Sequence, residues 1–74
     1  MQLKPVGKKV RLLDLEPGML FAFGDDCIAV KSEYFLDSGK IEAIIVGSGE
    51  FFHGGAKTSV EHYNLMVQPL ELGD

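Results

Sequence analysis

The sequence predicts an all-β domain, a small SH3-like barrel or strongly bent antiparallel meander of five to six strands. Three observations predict it. Nine glycines divide the 74 residues into strand-sized runs rich in Ile, Val, Phe and Tyr. Two short turn signals, Gly24-Asp25 and Asp37 to Lys40, separate three of those runs. Apolar residues alternate along the runs with the period of two that places them on one side of a sheet.

Residues 1–8 read as a basic N-terminal arm of a single domain spanning 1–74. Lys9 to Leu15 is the first expected strand. It ends at Leu15-Glu16-Pro17-Gly18, where proline presets φ at the second turn position and glycine accepts a positive φ at the third. Met19 to Phe23 follows as a strand, and Gly24-Asp25 as a two-residue hairpin turn. That turn sets Phe21 opposite Ile28 and Met19 opposite Val30. The next run, Cys27 to Leu36, turns at Asp37-Ser38-Gly39-Lys40, which sets Leu36 opposite Ile41, Tyr34 opposite Ala43 and Ser32 opposite Ile45.

The two hairpins agree on one inner face: Met19, Phe21, Ile28, Val30, Tyr34, Leu36, Ile41, Ala43 and Ile45. The reverse face is apolar too, with Leu20, Ala22, Cys27, Ala29, Phe35, Ile44 and Val46 among Lys31, Glu33 and Glu42. Something must cover it: the first strand, the C-terminal segment or a second subunit.

Beyond Val46, Gly47-Ser48-Gly49 turns the chain into Glu50-Phe51-Phe52, whose adjacent rings point to opposite faces in a strand. His53 to Thr58 reads as a loop. Thr58-Ser59-Val60-Glu61 fits a capping box but leads into too short a segment for a sustained helix, and the stretch reads as irregular. Leu65 to Leu70 is the last strand, with Pro69 placing its end at a sheet edge.

A composition of 46% apolar and 24% charged residues is that of a folded soluble domain and excludes a disordered chain. A chain of this length buries only roughly 60–65% of its unfolded surface, so a partner subunit would add core area. The single cysteine, Cys27, forms no internal disulfide. The longest apolar run, Met19 to Phe23, is too short for a membrane span, and no apolar segment follows the basic N-terminal residues as in a signal peptide, which points to the cytoplasm, or to a virion if the chain is phage-encoded. Lys4, Lys8, Lys9 and Arg11 contribute +4. The other 63 residues hold three lysines against eleven acidic residues and carry −8. That acidic body weighs against broad phosphate tracking.

No residue set carries a catalytic or cofactor pattern. Asp25, Asp26, Cys27, His53 and His62 match no metal-ligand spacing, and paired aspartates are ordinary turn chemistry. Cys27 or Ser59 with a histidine lacks any nucleophile signature, and the Gly47-Ser48-Gly49 and His53-Gly54-Gly55 runs lack the strand-to-helix context of a phosphate cradle. The expectation is therefore a non-enzymatic protein with no cofactor and no metal.

Two surfaces remain as candidates. Ile44, Val46 and Phe51, with Phe35 beside them and the loop from His53 to Lys57 as rim, could form an apolar contact patch for a second copy or another protein. The structural alternative is that strand neighbours half-cover Phe51 while Phe52 completes the core. Lys4, Lys8, Lys9 and Arg11 could instead contact nucleic-acid phosphates, with Tyr34 or Phe51 as stacking faces. The alternative there is a solvated arm or a lysine-protected edge strand.

The segment Arg11-Leu12-Leu13-Asp14-Leu15-Glu16-Pro17-Gly18-Met19-Leu20-Phe21, followed by a glycine-turn hairpin, resembles the start of many small β proteins encoded by bacteriophages and prophages. It also resembles the first hairpin of SH3-like translation domains of the elongation factor P type. The basic tip that such a domain offers RNA is here Gly24-Asp25-Asp26. The likeness covers the first third of the chain. The phage resemblance implies an all-β accessory or virion protein and supplies no catalytic residue.

Overall fold

The structure is a computed structural model that describes residues 2–73; residue 1 of the basic arm and residue 74 lie outside it. The chain is antiparallel all-β. Its strands are β1 (Gln2–Pro5), β2 (Val10–Arg11), β3 (Leu20–Phe23), β4 (Cys27–Phe35), β5 (Ile41–Ile45) and β6 (Met66–Gly73). A 3-10 turn (Leu12–Asp14) follows β2, and a short helix α1 (Ser59–Tyr63) precedes β6. The sheet order is β1-β6-β3-β4-β5, with β2 also paired to β6. The C-terminal strand therefore returns between the first strand and β3 of its own chain.

The expected strand from Lys9 to Leu15 is only two residues long before the chain tightens into the 3-10 turn. Leu12 and Leu15, three residues apart, are both buried, whereas Leu13 is exposed. A three-residue repeat brings positions i and i+3 to one side, which a pleated strand cannot do. The following turn is as expected: the Met19 N–H donates to Glu16 O at 3.2 Å, with Pro17 between them and Gly18 at φ 89°.

Both hairpins depart from the expected register. Phe23 pairs with Cys27 and Phe21 with Ala29, because three residues, Gly24 to Asp26, form the turn in place of two. In the second hairpin Ala29 pairs with Ile45 and Lys31 with Ala43, and an irregularity between Lys31 and Phe35 then sets Phe35 opposite Ile41. Ile28 and Ile41 consequently lie on opposite faces. In β4 it is Ala29 and Lys31 that face inward, while Ile28 and Val30 face outward and Tyr34 is exposed.

Volume explains the choice. Phe21 and Phe52 meet edge to face with centroids 5.1 Å apart, and Phe23 and Phe52 do so at 5.3 Å. Such large rings need small residues beside them, and Ala29 and Ala43, both at 0% exposure, supply them. Leu12, Leu15, Ile41 and Val67 complete the core.

Pro69 does not mark an edge; it sits in β6 opposite Phe21 of β3. Its missing N–H falls where the ladder on the other side of β6 breaks between β1 and β2. There the Gln68 Nε2 donates to the carbonyls of Val6 and Gly7, each at 3.3 Å, so a side-chain amide bridges the gap. The stretch expected to be irregular is the one-turn helix α1. Its cap is the Thr58 hydroxyl, which accepts the Glu61 N–H at 3.1 Å.

Candidate interaction surface

Two polar side chains are buried on the core side, and both serve structure. The Lys31 ammonium donates to the carbonyls of Leu12 (2.9 Å), Leu13 (3.1 Å) and Leu15, holding the 3-10 turn against β4. Burial pushes its pKa below the usual lysine value, against a smaller opposing pull from Asp14. His62 accepts the Ile41 N–H on Nδ1 at 3.1 Å and donates from Nε2 to Phe52 O at 2.9 Å. That pairing defines the neutral ring with its proton on Nε2, and burial lowers its pKa. Neither residue was expected inside, since Lys31 reads as a polar-face residue and His62 as a loop histidine.

The candidate apolar residues divide. Ile44, Val46 and Phe51 share the outer face, whereas Phe35 stands on the other side, its ring edge-on to Tyr63 at 6.0 Å. His53 is exposed near the buried ring of His62, with centroids 6.5 Å apart. Phe52 is core and Phe51 is 47% exposed, as adjacent strand residues require.

The sheet extends this outer face well beyond those three residues. Across the strands in register run Pro5, Leu70, Leu20, Val30, Ile44 and Phe51, one apolar row from the β1 edge to the residue bridged to β5. Beside it run Ala22, Ile28 and Val46, the last joined to Ile28 by a 2.8 Å bond from its N–H to the Ile28 carbonyl, and on the opposite flank Leu3 pairs with Leu72. Leu70 is buried at 8% exposure, and none of the others is buried. Both the 3-10 turn and α1 pack on the opposite face, through Leu12 and His62. Val46 and Leu72 are more than half exposed.

In β3 and at the end of β5 spacing already groups Leu20 with Ala22 and Ile44 with Val46 on one apolar face, the part of this surface legible in the sequence. What hid the rest was the one-residue slip in β4.

Two of the four candidate basic residues have acidic neighbours. Arg11 grips Asp14 with both ends of its guanidinium, Nε to Oδ2 at 2.8 Å and Nη2 to Oδ1 at 3.0 Å, and this pair holds the Asp14 carboxyl below its usual pKa. Lys4 stands opposite Glu71 in the ladder, while Lys8 and Lys9 are exposed in the loop between β1 and β2. On the core side of that loop an open groove of about 430 Å³ is lined by Val6, Lys8, Leu15, Glu16, Met19 and Pro69, among others. It holds no nucleophile paired with a base.

Among the described residues no three His, Cys, Asp or Glu side chains converge as metal ligands do, and no helix is long and apolar enough to cross a membrane. Comparison with protein-family models, with curated proteins and with solved structures finds no match to this chain.

Proposed function

We propose that this chain is a non-enzymatic interaction module that works by self-association through the outer face of its sheet. In the setting implied by its N-terminal resemblance, it serves as an accessory or virion protein of a phage, with an SH3-like barrel as the underlying plan. The observation that supports the reading is the apolar row from Pro5 to Phe51, which carries no charged side chain across six neighbouring segments. Pro5 and Phe51 at its ends are exposed, Leu20, Val30 and Ile44 are half-buried and Leu70 is buried, and contiguous apolar surface of this kind marks protein contacts. The pairing of Arg11 with Asp14 and the place of Lys4 opposite Glu71 favour this reading over nucleic-acid binding.

The test is the mass in solution by size exclusion with light scattering over a range of concentrations, for the natural chain and for Val46→Lys and Phe51→Lys. The natural chain is expected above 8.1 kDa, and each lysine variant is expected to shift toward the monomer while keeping its β spectrum. A strict monomer whose DNA or RNA affinity falls steeply with salt would reverse the reading in favour of the basic residues.

A further inference from the structure

We infer that a second copy of this chain closes the outer face, the two sheets packing face to face about a two-fold axis that passes near Leu20 and Val30. The inference rests on the reading of that face as the surface of self-association, and adds the number of copies and their orientation.

Charge selects the partner. The chain has a net charge of −4, so contact between copies elsewhere sets acidic surfaces against each other. The central rows of the outer face contain only apolar residues and Gln68; Glu42 and Ser32 lie at one corner, beyond Ile44 and Val30, and Arg11, opposite Met66 and bound to Asp14, lies at another margin. Two copies meet there without burying a charge, whereas a strongly charged partner finds nothing to complement.

Symmetry is satisfied as well. A two-fold axis between β3 and β4 divides the six-residue row into halves of three, so Pro5, Leu70 and Leu20 of one copy lie over Phe51, Ile44 and Val30 of the other.

The dimensions agree. Six segments spaced about 4.8 Å apart, and three rows about 7 Å apart, make a plate of roughly 24 by 14 Å. Its area of about 340 Å² is a suitable apolar centre for the roughly 800 Å² that each partner buries in a standard interface. The chain exposes 4835 Å², against about 4500 Å² for a closed monomer of its mass.

An edge-to-edge arrangement through β1 is less suited. That strand has four residues, all exposed, and includes Lys4 and a proline that cannot donate. The face-to-face arrangement places the sheets about 10 Å apart, as in a β-sandwich.

The experiment uses the full chain with Cys27→Ser, carrying either Val30→Cys or Lys4→Cys, and a thiol cross-linker of about 10 Å. Leu20→Cys, equally close to the axis, stands in if Val30→Cys unfolds. The expected result is a light-scattering mass of twice 8.1 kDa, with covalent dimer from the Val30 variant in large excess over that from the Lys4 variant. A dimer that cross-links through position 4 and not through 30 or 20 overturns the arrangement and leaves self-association standing. A particle of more than two copies overturns the closed two-fold, and a monomer at every concentration overturns both the arrangement and the reading beneath it.

Discussion

The ammonium of Lys31 lies 2.9 Å from the carbonyl oxygen of Leu12, the first residue of a 3-10 turn that no helix continues. With the Leu13 and Leu15 carbonyls also bound, its three protons have three acceptors, so a buried charge is fully satisfied by main chain. The bond ties the segment before β3 to the centre of β4, and it sets the inward phase of β4 together with Ala29.

Replacement of Lys31 by methionine keeps the stem and removes the donor. Three carbonyl oxygens lose this donor, two of them in buried bonds, and only that of Leu12 keeps another, the Leu15 N–H at 3.3 Å. The expected loss is about 2–4 kcal/mol, read as a lower urea midpoint with an unchanged slope. A variant as stable as the parent would show that water serves these carbonyls equally well.

His62 makes stability depend on pH. Its unfolded value is near 6.5. In the folded chain, burial lowers the pKa first, with the charges of Lys40 and His53 acting in the same direction and the Phe52 carbonyl opposing them. The unfolded chain thus binds the proton more readily. The stabilisation is present in full above about pH 6.5 and declines as pH falls from there toward the folded value, with a slope of up to about 1.4 kcal/mol per pH unit. Denaturant unfolding at pH 7 and pH 5 should show this decline in the natural chain and a smaller one in His62→Gln. Equal declines in both would assign the effect to other groups.

Gly54 and Gly55 form a matched pair. Both have positive φ, 60° and 78°. A Cβ on Gly55 meets open space, whereas one on Gly54 would stand 2.6 Å from Leu65 Cδ1 and 2.8 Å from Phe52 Cζ. Gly55→Ala is expected to cost about 1–2 kcal/mol from the left-handed backbone alone. Gly54→Ala should cost roughly 1–3 kcal/mol more, since the buried Phe52 ring cannot give way. Thermal melts of the two variants measure the difference, and equal melting temperatures would mean that the loop relaxes around the methyl group.

The sequence by itself determined the local elements of this protein. Pro17-Gly18 makes its turn, the runs from Met19 to Phe23, from Cys27 to Leu36 and from Ile41 onward are strands to within a residue or two, and Phe51 and Phe52 part to opposite faces. Those features depend on backbone dihedrals and on a period of two, both carried by neighbouring residues.

Tertiary structure alone decided which face of β4 is the inside. Ile28 and Val30 on one side and Cys27 and Ala29 on the other are all apolar, so periodicity leaves the phase open, and the space left by Phe21, Phe52 and Leu12 admits only the smaller side chains. The same cause hid the burial of Lys31 and His62, whose partners lie 16 to 19 residues away for the first and up to 21 for the second. It also hid the apolar row on the outer face, which exists only once five strands are laid in register, because a row across a sheet joins residues that are distant along the chain.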